Sequence, residues 1–448
     1  MRKQPNVIYV FSDQHRADAV GYRGNPDLKT PNMDRLARES IDFTTAVAGF
    51  PVCCPSRACL MTGQYALTHG VFVNDVSLGG EAVPLAEAFK ENGYDTAYIG
   101  KWHLDGNGRS NWIPPERRQG FEFWRVLECT HNYLHSDYYG DSPEKLTWDG
   151  YDAKAQTDCA IAYIRSHKQQ NRPFLMALSW GPPHSPYDTA PQQFKDLYDP
   201  AVLTLRPNVP EHCEALAREE LAGYYAHISA LDSCLGELMR VLDEEGLTGD
   251  TIFIYTSDHG DMLGSHGERH KQKPWDESIL VPFLLRYPSL FGTEGRKVSA
   301  PINTPDIMPT LLGLCGLNIP STVEGADYSP FLRGEQAPPE DAAILECIHP
   351  FGEWYRDIGG KEYRGLRTER YTYVRDLNGP WLLFDNAADP HQMNNLCQEE
   401  AYRDLLAELD LRLTERLRRR KDDFLHGTFY IEKHGYNLDE TGTVPYTW

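Results

Sequence analysis

Four apolar runs in this chain each end in side chains that can ligate a cation, hold an anion or carry a proton. Residues 6–11 (NVIYVF) lead into Ser12, Asp13 and Gln14, and residues 94–99 lead into Gly100, Lys101, Trp102 and His103. Residues 174–180 lead into Gly181, Pro182, Pro183 and His184, and residues 251–256 into Ser257, Asp258 and His259. Cys53, Cys54, Pro55, Ser56 and Arg57 stand between the first two runs, while Lys271 and Lys273 follow the last. Each group has an ordinary role open to it. A strand-end Asp can cap a helix, a buried cysteine pair can pack as small hydrophobes, and a lone Lys or His can be a solvated or structural side chain. Taken together, however, carboxylates suit a hard cation, imidazoles suit proton transfer, and Lys with Arg suit a bound oxyanion.

The elements around these residues must bring them together if they act as one site. Helical patterns over residues 31–40, residues 84–92 closed by Gly93, and residues 220–245 closed by Gly246 alternate with the apolar runs. That alternation predicts an α/β fold with a large, mostly parallel sheet sandwiched by helices. In such sheets the ligand crevice lies at the carboxyl ends of the strands. The polar residues after the four runs would then converge on one crevice, although they are spread over about 250 positions. From about residue 342 the texture changes to short strand candidates at residues 344–348, 363–367, 371–375 and 381–384, followed by an amphipathic helix over residues 398–419. The expected organisation is a larger α/β domain over residues 1–340 and a C-terminal subdomain over 341–448, made of a small antiparallel sheet, a helix and a tail. The tail, residues 422–448, shows no period and suggests no function.

Bulk composition narrows the classes. A formal net charge of −21 argues against nucleic acid, which needs a basic surface. It also favours small anionic substrates, drawn in by a local cluster of Lys, Arg and metal, over long charged polymers. No stretch approaches the roughly 20 apolar residues of a membrane span. The ten cysteines form no CxxC pair, which excludes a zinc ribbon or redox motif and leaves buried free thiols as the expectation. The chain begins Met1, Arg2, Lys3, Gln4, Pro5, and its first apolar run is too short for a signal peptide. If Met1 is native the expected location is the cytoplasm; if a leader has been removed, it is the periplasm or the exterior.

The run Cys53, Cys54, Pro55, Ser56, Arg57, followed by Thr62 and Gly63, is similar to the CxPSR motif of the formylglycine-dependent sulfatase family, within the alkaline phosphatase superfamily. The resemblance extends over nearly the whole chain. It implies an alkaline phosphatase-like fold, a catalytic α/β domain, and hydrolysis of a sulfate ester. It also implies that Cys53 is oxidised to formylglycine, whose hydrate attacks sulfur through one hydroxyl and expels sulfate by pushing from the other. By the same resemblance Asp13, Gln14, Asp258 and His259, together with the modified Cys53, hold Ca²⁺, with Mg²⁺ as the alternative. Gln14 stands where Asp is commoner, so the site has one negative charge fewer. Gly100, Lys101, Trp102, His103 and Leu104 resemble the family's lysine and histidine pair: Lys101 would contact sulfate, and His103 would take the proton of the second hydroxyl. His184 would protonate or steady the leaving oxygen, in a loop stiffened by three prolines. Lys271 is the choice for a second sulfate contact, with Lys273 as fallback, and Arg57 would hold the nucleophile and the metal ligands in place. Gln64 stands where Arg often follows, a departure that bears on recognition by the formylglycine-generating maturation enzyme, the implied protein partner.

Two rivals compete with this expectation. One is a phosphodiesterase or phosphonate monoester hydrolase of the same superfamily, against which the intact GKWHL run weighs. The other is a non-catalytic sulfoglycan-binding protein, against which the full set of competent residues weighs. Runs such as DQHRAD and GPPHSPY resemble the carbohydrate-active branch, so the implied substrate is a sulfated sugar or short oligosaccharide, with a small aryl sulfate as runner-up. Trp102, Trp275 and Tyr187 are candidates for stacking on a sugar ring, each with core or rim packing as the plainer role. The resemblance leaves the oligomeric state open.

Overall fold

The computed structural model describes residues 4–170 and 172–448; Met1, on which the expectation about location turns, lies outside them. A ten-stranded sheet forms the frame, from β1 (Asn6–Asp13), β2 (Ile41–Phe43), β3 (Asp95–Lys101), β4 (Phe123–Leu127), β5 (Asp137–Tyr139), β6 (Lys145–Thr147), β7 (Phe174–Pro183), β8 (Thr251–Ser257), β9 (Leu284–Arg286) and β10 (Arg296–Val298). Their order is β10-β2-β9-β8-β1-β7-β3-β4-β5-β6. The five central strands, β8-β1-β7-β3-β4, are mutually parallel; antiparallel pairing enters only toward the edges, at β9, β5 and β6. The expected mostly parallel sheet is therefore present as a parallel centre with mixed margins.

Parallel pairing explains why the four apolar runs read as unbroken hydrophobic stretches. Both faces of β1, β3, β7 and β8 are covered, so every position but the first residues of β1 and β3 is buried and period-two alternation disappears. One core layer joins Tyr9 and Phe11 to the helix Cys53–Thr62 and the helix Thr304–Cys315. The opposite layer joins Ile8 and Val10 to the helices Asp152–His167 and Glu214–Glu244. The last of these starts six residues before its sequence pattern does, because the turn Glu211–Cys213 feeds directly into it.

β1 is flanked by β7 and β8 in register, Ser12 lying opposite both Trp180 and Ser257. That register brings Asp13, His184 and Asp258 to the same end of the sheet. β3 delivers Lys101 beside them, and Gly100 is required at the turn: its φ is +106°, and a Cβ there would collide with the Ser179 carbonyl on β7.

The C-terminal part contains the expected four-stranded antiparallel sheet, Ala342–Cys347, Tyr363–Thr368, Tyr371–Asp376 and Gly379–Asp385, with the helix Arg403–Arg419 on one face through Leu409, Leu413 and Leu417. The tail is structured where its sequence shows no period. It forms the helix Gly427–His434, and residues 435–448 then run back across the large domain. All ten cysteines are free thiols, and no helix among the described residues is long and apolar enough to cross a membrane.

Candidate active site

Cys53 opens a helix whose ten residues, Cys53–Thr62, are all buried, so its first turn points into the crevice at the strand ends. The Cys53 Sγ lies 3.3 Å from His259 Nε2 and 3.7 Å from Asp13 Oδ1. Ligand atoms of Asp13, Cys53, Asp258 and His259 all fall within 4.8 Å of one another. Two carboxylates, an imidazole and the Cys53 side chain converging this closely form a donor set that fits a divalent cation, the carboxylates supplying hard oxygens. In an oxidised Cys53, oxygen would stand where the sulfur stands.

Arg57 holds this cluster from behind. It is fully buried; its Nη2 reaches Asp13 Oδ2 at 3.2 Å and Asp258 Oδ2 at 3.0 Å, while Nη1 donates to the Lys101 carbonyl and to Ser179 Oγ, both at 2.8 Å. Lys101 Nζ donates to Asp13 Oδ2 at 2.6 Å. Burial by itself disfavours the charge on Asp13, but Lys101 and Arg57 overcome it and hold this carboxyl well below the usual range. Burial and then Asp13 push the Cys53 thiol up to about 12, so it keeps its proton at neutral pH. The surroundings of Cys53 thus do not activate a thiol as such.

Gln14 sits beside the carboxylates. Its backbone N–H donates to Asp258 Oδ1 at 3.1 Å, its amide nitrogen to Asp261 Oδ2 at 2.6 Å, and its amide oxygen accepts from Lys271 Nζ at 2.8 Å. Lys271 also donates to His184 Nε2 at 2.7 Å, whereas Lys273 turns away to the Arg269 carbonyl and Glu268. Of the two lysines the sequence offers, Lys271 is the one in the crevice. The Nδ1–H of His184 donates to its neighbour's carbonyl, Ser185 O, at 2.8 Å, which leaves Nε2 as the lone-pair nitrogen facing Lys271. Burial, then Lys271, keep His184 neutral by lowering it well below the usual imidazole value. Burial and Lys101 likewise lower His103 to about 4, so it is a free base at neutral pH.

The backbone turns sharply to aim these groups. Gln14, Asp75, His103, His270 and Gln272 all have φ between +59° and +72°. Each such non-glycine residue costs about 1 kcal/mol or more, and clustering of that cost around one crevice is typical of a functional site.

The crevice is a cavity of about 270 Å³ lined by Cys53, Lys101, His103, His184 and Lys271, together with residues that no strand-end pattern marks: Asn74, Asp75, Arg109, His131, Phe351, Glu353, Thr443 and Tyr446. Asp75 accepts from His103 Nε2 at 3.3 Å and from both Nε and Nη2 of Arg109 at 2.8 Å. Glu353 lies 3.3 Å from Lys271 Nζ. These residues come from turns and from the C-terminal part, where side-chain direction follows from tertiary contacts and not from a local period. Of the candidates for stacking on a ligand, Trp102 is fully buried in an aromatic cluster with Tyr98 and Trp124, Tyr187 is tied through its hydroxyl to Asp261, and Trp275 stacks on His266. The packing role is the one observed for all three. Gln64 donates its amide to the Thr322 carbonyl at 3.0 Å, away from the crevice lining.

The sulfatase family model matches residues 5–317, and the model for the C-terminal region of N-sulphoglucosamine sulphohydrolase matches residues 264–420. An ulvan-active sulfatase of Formosa agariphila is 45% identical over 447 residues, covering 99% of this chain and 87% of its own. An endo-4-O-sulfatase of Bacteroides thetaiotaomicron is 30% identical, covering 89% of each chain. A solved structure from a glycosaminoglycan-metabolism locus of Bacteroides thetaiotaomicron superposes with a TM-score of 0.84 at 29% identity, covering 96% of this chain and 98% of the other.

Proposed function

Because this chain belongs to the sulfatase family and is a sulfuric ester hydrolase, we propose that its substrate is a sulfated sugar or short oligosaccharide, cleaved by Cys53 in its formylglycine form with Ca²⁺ at the adjoining carboxylates. The observation that carries this proposal is the convergence of Cys53, Asp13, Asp258 and His259 within 4.8 Å, ringed by Arg57, Lys101 and Lys271. The names of the relatives support the substrate class: one is active on ulvan, one is an endo-4-O-sulfatase, and a 25%-identical structure with a TM-score of 0.84 was solved with its substrate D-glucosamine-2-N,6-O-disulfate.

Asp13, Asp258 and His259 would hold the cation, with Gln14 beside them. When bound, the cation supplies a positive centre that polarises the sulfate oxygens, and the hydrated aldehyde supplies a nucleophilic oxygen that an unmodified, protonated thiol does not. The remaining tasks fall to residues already in place. Lys101 and Lys271, both in the cavity lining, supply charge to the sulfuryl oxygens. His103, neutral and tied to Asp75, is poised to take a proton. His184 presents its Nε2 to Lys271, so the pair can steady the departing oxygen and share a proton with it. Arg57 carries no reacting atom; it fixes the two carboxylates.

Ca²⁺ is favoured over Mg²⁺ because the two carboxylates and the imidazole are a donor set of mixed type, and Ca²⁺ tolerates irregular coordination whereas Mg²⁺ demands a near-octahedral one. A formylglycine-generating enzyme is the partner the proposal requires.

Coexpression with such an enzyme, followed by mass spectrometry of the Cys53 peptide and assays on 4-nitrophenyl sulfate, an aryl phosphate diester and pyranosides sulfated at O2, O3, O4 or O6, tests the proposal. Conversion of Cys53 and preference for a sulfated pyranoside are expected. Faster turnover of the phosphate diester, or an unconverted and inactive protein, would overturn it.

A further inference from the structure

Residues 439–448 lie outside both family models, which end at residues 317 and 420, yet they close one side of the catalytic cavity through Thr443 and Tyr446. The segment is held in place at several points. The Gly352 N–H donates to the Thr441 carbonyl at 2.9 Å, the Arg109 N–H to the Thr447 carbonyl at 2.7 Å, and Asp439 Oδ1 accepts from the N–H groups of Thr441 and Thr443 at 2.9 and 3.0 Å. Gly442, at φ +71°, leaves no room for a side chain against His349.

From the leaving-group histidine a row of rings runs outward to solvent. His184 stacks on His131 with centroids 4.7 Å apart and planes at 10°. His131 meets the edge of Trp448 at 6.0 Å, and Trp448 meets Tyr446 at 5.6 Å. The Arg109 guanidinium lies 3.3 Å from the Tyr446 ring centroid and 5.0 Å from that of Trp448. Trp448 is nevertheless 63% exposed, an unusual state for an indole fixed beside an enzyme cavity. Arg109 is neutralised by its paired contact with Asp75, so this wall offers flat apolar faces and hydrogen-bonding edges without net charge. Those are the demands of a pyranose, which presents a C–H face to an aromatic ring and hydroxyls to its rim.

We propose that the C-terminal segment, through Trp448, Tyr446 and the Arg109 they cover, is the recognition wall for the sugar ring that leaves with the oxygen, and that it selects a saccharide sulfate over a simple aryl sulfate. The proposal rests on the sulfated-sugar assignment and adds to it which residues hold the ring.

The test measures binding on Cys53→Ala protein, which needs no maturation, by titration calorimetry with 4-nitrophenyl sulfate and with the four pyranoside sulfates. Trp448→Ala and Tyr446→Ala are expected to lower the ratio of saccharide to aryl affinity at least tenfold, the scale of removing one stacked anchor ring, while Trp448→Phe restores most of it. Thermal unfolding confirms that each variant is folded. A ratio that stays within twofold in both alanine variants, or no saccharide binding with the segment intact, overturns the proposal. Failure of the broader assignment is read separately, as absence of sulfate turnover by the matured, unsubstituted enzyme.

Discussion

On the strand side of the cavity, Asp13, Cys53, Arg57 and His259 are sealed from solvent and every charge is matched by an opposite one within about 3 Å. On the C-terminal side, Tyr446 and Trp448 are 40% and 63% exposed and are held mainly through main-chain bonds and ring contacts. The first arrangement fixes charges rigidly and changes little with the substrate. The second presents surfaces whose chemistry can vary without disturbing the fold. Placement of the sulfuryl group is thus built into the sheet, while recognition of what carries it is built onto an appended segment.

The sharpest way to test that division is to strike the sealed side. Cys53→Ala should lower kcat on any sulfate ester by on the order of 10⁵-fold or more, the scale of losing a covalent nucleophile, with thermal stability retained; a residual rate within a hundredfold of the parent would break the assignment. His103→Ala should lower kcat by about 10²–10⁴-fold, as for a lost proton acceptor, on aryl and saccharide sulfates alike. Arg57→Ala should be costly in a different currency. It strips Asp13 and Asp258 of their shared counter-charge, and removing one partner of a buried pair costs about 3–5 kcal/mol, measurable as a lower urea midpoint before any assay is run.

The sealed side was largely legible in the sequence because its residues obey a local rule. Asp13, Lys101, His184 and Asp258 each follow an apolar run, and parallel register carries them to one edge. Cys53 and Arg57 share a motif; Cys53 lines the crevice and Arg57 lies behind it, paired with Asp13. The rest of the cavity lining was not legible. Asp75 sits in a left-handed turn, Arg109 in an irregular loop, and Glu353 in a 3₁₀ turn. The tail carries no such pattern because period reflects one buried face, and a segment pinned by backbone bonds across a surface has none. The expected strand-helix order and the antiparallel C-terminal sheet were readable for the same reason as the strand ends, namely that burial writes a pattern.

Acid should distinguish the core from the crevice. His15 is buried and neutral, lowered to about 4 by desolvation, and accepts or donates only to Tyr255 and the Ala19 carbonyl. Its folded value lies below the unfolded one of about 6.5, so the unfolded chain binds the extra proton first and stability falls as pH drops from about 6.5 to 4. For a shift of this size the loss is on the order of 3 kcal/mol. Urea unfolding at pH 7 and at pH 4.5 should show a clear decline that His15→Gln reduces; an unchanged slope would mean that His15 is not held neutral.

The smallest effect is expected at Glu353, where the two sides meet. Its carboxylate lies 3.3 Å from Lys271 Nζ but is 38% exposed, and the neighbouring Gly352 carries the bond to Thr441 of the tail. Burial opposes its charge, but Lys271 prevails and lowers it to about 2, so it is ionised throughout the working range. A fixed negative charge beside a sulfate-binding lysine repels the substrate and occupies part of the lysine's field. Glu353→Gln removes the repulsion and keeps the shape, so KM should fall and kcat should change little. Solvent screening limits such a half-exposed pair to about 0.2–1 kcal/mol, which corresponds to at most about a fivefold change in KM, shrinking further at high salt. If KM instead rises for saccharides but not for 4-nitrophenyl sulfate, Glu353 accepts a hydrogen bond from the sugar and belongs to the recognition wall; if it rises for both, its task is to orient Lys271, and it belongs to the sealed side.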